Sequence, residues 1–271
     1  MRDEILNIRV SDGYPAFFYV GQEGFIVKGP GTYLLIDGYL TGGCVPGEPF
    51  GRQYRPPIAP EELDFIDFVL CSHDHQDHLD PRTLRGILSV NDHARFVVPA
   101  PLAGKVCREY GVPENRIIRM HEGKRIHLGD FMLTPVASAH EELHTDGNGD
   151  YFEMGFLLET GTLRFYHSGD CCVYDGLAQK VGKANIVFLP VNGRSYYKLR
   201  GNIIGNMNLE EAVLFAKEAG ADLFVPMHFD LFSGNSIPEH WIRDAVKQYA
   251  PGLPCRILHP GGLLRIQGED R

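Results

Sequence analysis

The stretch His73-Asp74-His75-Gln76-Asp77-His78 gathers three imidazoles and two carboxylates within six residues. It comes directly after residues 65–71, a short apolar run with aromatic and β-branched side chains that predicts a buried strand. The cluster therefore stands at the carboxyl end of a predicted strand. Ligands of open α/β sheets bind at that end, so position and side-chain chemistry both indicate a metal or ligand site.

The composition predicts a globular domain that buries a large core. Of the 271 residues, 44% are hydrophobic, and no apolar run reaches the length of a membrane span. The formal net charge of −9 argues against a nucleic-acid binder that works through a broad basic surface. The first residues lack a basic-then-apolar secretory pattern. We therefore expect a cytoplasmic protein with one domain over residues 1–271, no membrane contact and no nucleic-acid partner.

Strand and helix patterns alternate along most of the chain. Asp80 and Asn208 are candidate N-caps, and residues 39–60, rich in Gly and Pro, predict a long functional loop. The predicted strands cover residues 16–20, 24–28, 32–38, 65–71, 95–99, 116–118, 124–128, 131–136, 155–158, 163–167, 186–189, 223–226 and 255–258. The predicted helices cover residues 81–90, 102–110, 176–181, 209–219 and 238–249. With residues 116–158 as a second β-rich layer, this order predicts two mixed sheets packed face to face with helices outside.

Three more polar residues follow predicted strands and extend the candidate site. His140, Asp170 and His228 each come a few residues after an apolar run. Each alone is weak evidence, since a single histidine at a strand end is more often a hydrogen-bonded structural residue. Together four strand ends supply seven candidate ligands. That number is too large for one tetrahedral zinc and suits two metals that share a bridging carboxylate and a bridging water.

The pattern resembles the metallo-β-lactamase superfamily, whose H-x-H-x-D-H signature stands here as His73-x-His75-x-Asp77-His78. The resemblance covers nearly the whole chain and implies an αββα sandwich with the metals at one edge. The implied ligands of the first metal are His73, His75 and His140; those of the second are Asp77, His78 and His228, and Asp170 bridges the two. Asp37 resembles the family's first motif and would orient a ligand, although a turn-forming role before Gly38 explains it equally well.

The mixed ligand set fits hydrolytic chemistry. Neutral imidazoles keep the ions electrophilic, while carboxylates partly offset their charge, and the pair lowers the pKa of a bridging water toward neutrality. The resulting hydroxide would be the nucleophile, with Asp77 and Asp170 as catalytic ligands and Asp170 or water as the proton donor. One or two manganese, zinc or iron ions are all compatible with this set.

A narrower resemblance points to the L-ascorbate-6-phosphate lactonase group. It is carried by residues 189–197, 205–208 and 226–230. It implies a manganese-dependent cytoplasmic enzyme of carbohydrate metabolism that opens a sugar-phosphate lactone, often as a large homo-oligomer. The same resemblance makes a small anionic sugar-phosphate the expected substrate.

The segment after residue 189 offers groups for such a substrate. Arg194 could hold a phosphate or carboxylate in bidentate contact, and neutral polar groups could hold hydroxyls. The candidate substrate-binding residues are Asn192, Arg194, Tyr196, Tyr197 and Asn206. Glu141, next to His140 on a loop that could border the pocket, is a candidate for supporting the metal site, as Asp37 is. The alternative is a solvated basic loop with tyrosines packed beneath it.

Three functions remain open from the sequence. A lactonase or related ester hydrolase agrees best with the resemblance. A phosphodiesterase could use the same two-metal core. The third is a non-catalytic protein that binds a metal or a sugar phosphate, which would be expected to have lost part of the ligand set. Because all seven ligand positions are filled, the sequence favours an enzyme over this alternative.

Overall fold

Two mixed β-sheets pack face to face in the computed structural model, which describes residues 1–45 and 48–266. The strands of the first sheet, in spatial order, are β13 (Leu263–Arg265), β1 (Ala16–Gly21), β2 (Gly24–Lys28), β3 (Tyr33–Ile36), β4 (Phe68–Leu70), β5 (Arg95–Pro99) and β6 (Ile117–Met120). Those of the second are β12 (Leu223–Met227), β11 (Ile186–Pro190), β10 (Leu163–His167), β9 (Met154–Thr160), β8 (Phe131–Ala137) and β7 (Ile126–Leu128).

Helices cover the outer faces of both sheets. They are α1 (Arg2–Asn7), α2 (Pro81–Val90), α3 (Ala103–Tyr110), α4 (Leu177–Val181), α5 (Tyr196–Arg200), α6 (Leu209–Glu218) and α7 (Glu239–Tyr249). Short 3₁₀ turns lie at Pro60–Glu62, Ala100–Leu102, Glu114–Arg116 and Ser233–Asn235. None of the helices in the described ranges is long and apolar enough to cross a bilayer. The predicted αββα sandwich is confirmed.

Strand β1 shows how the layers hold together. Phe17 and Tyr19 point between the two sheets, whereas Phe18 and Val20 point toward the helices on the outside. This alternation follows from the two-residue period of a strand, and it requires apolar residues at every position when both faces are covered. Between the sheets, the Phe17 ring meets Phe165 edge to face with centroids 5.0 Å apart.

Strand direction brings the candidate residues to one edge. β3, β4, β5 and β6 are parallel, as are β10, β11 and β12. The carboxyl ends of the parallel strands in a sheet lie at the same edge, where the connecting loops leave. The segments after β3 and β4 therefore leave one edge of the first sheet, and those after β10 and β12 leave one edge of the second. The two edges adjoin, since His78 after β4 lies 3.6 Å from Asp170 after β10.

Helix α2 begins as the sequence predicts. The Asp80 carboxylate accepts hydrogen bonds from the backbone N–H groups of Arg82 and Thr83, and Pro81 occupies the first turn. Asp80 also accepts hydrogen bonds from the hydroxyls of Thr83 and Thr41. It therefore fixes the start of the helix and part of the loop over residues 39–60.

Two sequence expectations were wrong. Residues 116–118 were assigned to the second layer, but β6 pairs in parallel with β5 in the first sheet after the α3 crossover. Residues 255–258 form no strand; Cys255 makes a single isolated bridge with Phe224. In the described part of the loop over residues 39–60, the regular structure consists of isolated bridges at Cys44 and Arg52 and the start of the 3₁₀ turn at Pro60. Residues 46–47 of the predicted loop lie outside the described residues.

Asp80→Ala should lower the free energy of unfolding by about 1 to 2 kcal/mol, the usual cost of removing a helix N-cap. Chemical denaturation of both proteins measures this difference. Asp92→Ala is the matched control, because the Asp92 side chain is fully exposed. Equal stability of the Asp80 and Asp92 variants would contradict the assignment.

Candidate metal centre

Seven imidazole and carboxylate groups converge at the sheet edge and form two adjoining groups. Within each group the potential ligand atoms lie within 4.8 Å of one another. The first group, called here the first half, is His73, His75, His140 and Asp170. The second half is Asp77, His78 and His228. The structure therefore brings together all seven residues that the sequence predicted as metal ligands.

Asp170 lies between the two halves. Its Oδ2 atom is 3.5 Å from His140 Nε2 and 3.6 Å from His78 Nε2, and its Oδ1 atom is 3.4 Å from His228 Nε2. Burial alone would raise the pKa of Asp170, but the imidazoles around it, led by His228 and His78, hold it well below its usual range. Asp170 is thus an ionised carboxylate placed to reach a cation in either half.

The unpaired atoms of the cluster fit a divalent cation. The Nε2 atoms of His73 and His78 are buried without a hydrogen-bond partner, although buried polar atoms are normally paired. Burial lowers the pKa of His73 well below its usual range, which favours the neutral imidazole that binds a metal. The donor set suits a metal centre, and its mixture of nitrogen and oxygen is compatible with zinc, manganese or iron.

Asp37 stands behind the second half. Its Oδ2 atom is 3.0 Å from His78 Nδ1 and accepts a hydrogen bond from the Ser72 hydroxyl at 2.6 Å. Its Oδ1 atom accepts from the Ser72 backbone N–H at 2.7 Å. Such a contact fixes the orientation of a metal-binding imidazole. Asp37 has a positive φ of 42°, so the backbone there also turns sharply.

A chain of amides leads from Asp170 to the neighbouring loop. Asn206 Nδ2 donates to Asp170 Oδ1 at 2.7 Å and lies 3.2 Å from Asn192 Oδ1. Asn192 Nδ2 in turn donates to Asn235 Oδ1 at 3.2 Å. Asn206 and Asn192 are both buried; Asn206 contacts Asp170 and Asn192, whereas Asn192 contacts Asn206 and Asn235. Asn206 thereby supports Asp170, and the role of both amides as substrate contacts stays a prediction.

The other predicted substrate residues do not line the cavity at the cluster. Arg194 forms a bidentate ion pair with Glu211, with N–O distances of 2.7 and 2.5 Å, and also donates to the Asn206 carbonyl. Tyr196 and Tyr197 lie on α5 with exposed fractions of 65% and 82%. The role of these three residues as substrate contacts stays a prediction.

Glu141 supports a loop and touches none of the seven predicted ligands through a described hydrogen bond. Its Oε1 atom accepts from the Gly205 backbone N–H at 3.0 Å, one residue before Asn206. Glu141 has a positive φ of 65°. It therefore helps to hold the segment that carries Asn206.

A cavity of about 290 Å³ opens onto both halves of the cluster. Its floor contains the side chains of His75, His140, Asp77, Asp170 and His228. Its wall consists of Phe50, Asn202, Ile203, Ile204, Phe232 and Asn235. No lysine or arginine belongs to the lining formed by described residues. The cavity thus combines a polar floor with a largely apolar wall.

Several residues of the site carried no signal in the sequence. Gln22 and Glu23 reach the cluster from the turn between β1 and β2, where polar residues are ordinary. Both carboxylate oxygens of Glu23 are buried without a hydrogen-bond partner, 3.8 Å from His78 at the nearest. Burial and the nearby Asp170 carboxylate raise the pKa of Glu23 well above its usual range. Phe50 and Phe232 come from loops without a motif.

A partly buried carboxylate, Asp230, follows β12 and contacts two tyrosines. Asp230 Oδ1 accepts hydrogen bonds from Tyr54 at 2.8 Å and from Tyr19 at 3.4 Å. Burial raises the pKa of Asp230 to about 6, against the opposing effect of the Tyr54 hydrogen bond. The folded protein therefore binds this proton more tightly than the unfolded chain does.

We expect the wild type to lose roughly 2 to 3 kcal/mol of stability relative to Asp230→Asn as pH rises from about 4 to about 7. An acid with a raised pKa stabilises the fold while it is protonated, and this contribution disappears as pH rises through the folded-state pKa. Denaturation of both chelator-treated proteins across this range measures the difference. Parallel stability curves would contradict the raised pKa.

Asp77→Ala should remove one bound divalent ion per chain, whereas Asp74→Ala should remove none. The two carboxylates lie in the same loop, but Asp77 faces His78 and His228, while Asp74 is half exposed and pairs with Lys105 at 2.9 Å. Elemental analysis after reconstitution with manganese or zinc counts the ions. Equal metal content in the two variants would argue against a second half that binds metal.

Known proteins are similar to this chain in sequence and in fold. A family model described as the β-lactamase superfamily domain matches residues 32–229. An uncharacterised protein of Mycobacterium bovis is 27% identical over 280 residues, which cover 93% of this chain and 70% of that protein. A UPF0173 metal-dependent hydrolase of Caldivirga maquilingensis is 24% identical over 250 residues, which cover 92% of this chain and 96% of that protein.

Among solved structures, Igni18, a metallo hydrolase from Ignicoccus hospitalis, matches with a TM-score of 0.72 and 18% identity over 94% of this chain and 100% of that chain. At that identity the likeness shows the fold alone. The narrower resemblance to L-ascorbate-6-phosphate lactonases stays a prediction. Because the family model spans well over half of the residues, the chain belongs to the metallo-β-lactamase superfamily.

Proposed function

We propose that this metal-dependent hydrolase opens a small, uncharged carboxylic ester or lactone. The observation that carries the proposal is the contrast within one cavity. Its floor holds imidazoles and carboxylates suited to metals, and its wall holds Phe50, Phe232, Ile203 and Ile204 with two amides. Four of the eleven lining residues are apolar and seven are polar or ionisable, so the apolar part of a small substrate would contact the wall while its carbonyl faces the floor.

Both halves of the cluster would hold the ions that this function requires. When bound, one or two divalent ions would polarise the substrate carbonyl and lower the pKa of a water molecule. The first half and the second half would hold them, with Asp170 shared. No side-chain nucleophile is needed for such a reaction. The alkoxide of the opened ring or ester takes its proton from solvent.

The chain's own residues account for positioning. Asn206 keeps Asp170 Oδ1 occupied by a hydrogen bond at 2.7 Å, which fixes the carboxylate between the halves. The amides of Asn202 and Asn235 are the polar groups of the cavity wall, where they can hold a carbonyl or hydroxyl of the substrate. The aromatic and aliphatic side chains reduce the access of bulk water and favour the apolar part of the ester.

The absence of a cation from the described lining favours an uncharged substrate over a sugar phosphate. Arg194, the expected phosphate contact, has its guanidinium engaged by Glu211. Breaking that bidentate pair would cost free energy before any phosphate could be bound. A phosphorylated sugar-acid lactone such as L-ascorbate 6-phosphate is therefore the rival substrate for a direct comparison. A phosphodiester is the second rival.

We expect a phosphorylated lactone and its unphosphorylated counterpart to differ by less than about threefold in kcat/KM. A cation that recognised the phosphate would contribute tenfold or more, since tenfold corresponds to about 1.4 kcal/mol. Steady-state kinetics on the matched pair, with reconstituted enzyme, gives the ratio. Arg194→Met should leave the ratio unchanged.

The same assays include a generic phosphodiester. A preference of tenfold or more for the phosphorylated lactone, lost in Arg194→Met, would replace this proposal with the sugar-phosphate lactonase. Turnover of the phosphodiester without turnover of either lactone would replace it with a phosphodiesterase. Asp170→Ala should abolish hydrolysis of whichever substrate is used.

A further inference from the structure

A two-residue turn reaches from the first sheet into the metal centre. Strand β1 ends at Gly21 and β2 begins at Gly24, so Gln22 and Glu23 form the turn of this hairpin. Gln22 has a positive φ of 60°, which fits the first position of a type II′ turn. That position favours glycine, because a side chain there is strained. Gln22 is nevertheless a long polar residue and is buried.

The side chain of Gln22 points at the second half. Its Nε2 atom donates a hydrogen bond to Asp77 Oδ2 at 2.7 Å. The same atom lies 3.0 Å from Nε2 and 3.3 Å from Nδ1 of His228. Near-equal distances to both ring nitrogens indicate packing against the imidazole, so the directed hydrogen bond is the one to Asp77. The amide thus meets two of the three residues of the second half.

The backbone of Gln22 also contacts the second half. Its carbonyl oxygen accepts a hydrogen bond from the His228 backbone N–H at 2.9 Å. His228 also has a positive φ, 57°, so two residues with left-handed backbone conformations are bonded to each other at the centre. Strained conformations of this kind persist where surrounding contacts over-determine them, and they concentrate at functional sites.

Aromatic residues fix the turn in place. The Gln22 carbonyl also accepts from the Tyr19 hydroxyl at 2.9 Å, and the Gln22 N–H donates to the Tyr54 hydroxyl at 3.0 Å. A Cβ atom at Gly21 would come within 2.7 Å of the Tyr54 ring, so the turn and Tyr54 are in close contact. The backbone from which the Gln22 side chain extends is therefore held by the fold.

We propose that Gln22 is a positioning residue for the second half of the metal centre. Its amide aims the Asp77 carboxylate, and its backbone carbonyl aims His228. A hairpin turn alone would be better served by glycine, so the strained glutamine points to a role for the side chain. This inference rests on the metal centre of the proposed function and is independent of the substrate.

The proposal predicts an effect on one ion only. Groups that orient metal-binding side chains typically change affinity by 10- to 100-fold when they are removed. In the described structure the Gln22 amide has no hydrogen bond to His73, His75 or His140. Removal of the amide should therefore lower the affinity of the second half for its ion and leave the affinity of the first half unchanged.

Two variants separate this role from a role in folding. Gln22→Met keeps the size of the side chain and removes the amide. Gln22→Gly removes the whole side chain and relieves the strain of a positive φ. Zinc titrations in competition with a chromophoric chelator should give two dissociation constants per wild-type chain. Asp77→Ala identifies which of the two dissociation constants belongs to the second half, because it abolishes that binding event. Both Gln22 variants should raise that same dissociation constant by 10- to 100-fold.

The metal-free proteins provide the second readout. The Tm of Gln22→Gly without metal should equal or exceed that of the wild type, since the side chain serves the metal centre and not the turn. In an Asp77→Ala background, Gln22→Met should have no further effect on zinc affinity. If Gln22 were purely structural, its replacement would instead lower the Tm and weaken the binding of both ions together.

The outcomes are distinguishable from failure of the metal centre itself. Two ions in the wild type with unchanged constants in both variants would overturn the role of Gln22 and leave the centre intact. Equal weakening of both ions, or an equal effect of Gln22→Met in the Asp77→Ala background, would also overturn it. A wild type that binds a single ion, retained in Asp77→Ala, would overturn the role of Gln22 and leave the proposed hydrolase intact. A wild type that binds no ion would overturn both proposals.

Discussion

The burial of ionisable groups at one sheet edge is the constraint on which this site depends. Imidazoles and carboxylates that leave water lose solvation, and the loss must be offset by opposite charges or hydrogen bonds close by. Asp170 faces imidazoles from both halves, and His78 lies between Asp37 on one side and Asp170 on the other. Each residue is stable in its position because the others are present. The fold supplies that mutual placement through the shared edge of its parallel strands.

Local pattern in the sequence predicts most of this arrangement. The two-residue period of buried strands and the dense cluster after β4 locate the edge, and the spacing of His140, Asp170 and His228 behind other strands completes the ligand set. Helix α2 is equally local, since Asp80 and Pro81 are adjacent start signals. These features need only neighbouring residues to be recognised, which explains why a single sequence reveals them.

Pairings between distant segments are what the sequence does not reveal. β6 joins the first sheet through its contact with β5, although its composition would suit either sheet. The ion pair of Arg194 with Glu211, in the capping box of α6, is likewise visible only in the structure. Gln22 is an ordinary turn residue until the fold places Asp77 against it. In each case the partner that defines the role lies elsewhere in the chain.

The cavity divides into parts of different structural origin. Its floor is built from residues that follow regular strands and are tied to one another, whereas Phe50, Ile204 and Phe232 come from connecting segments. Connecting segments accept substitutions and changes in length far more readily than strand ends do. Substrate range can therefore diverge among descendants of this protein while the reactive centre stays unchanged, because the two properties depend on different stretches of the chain.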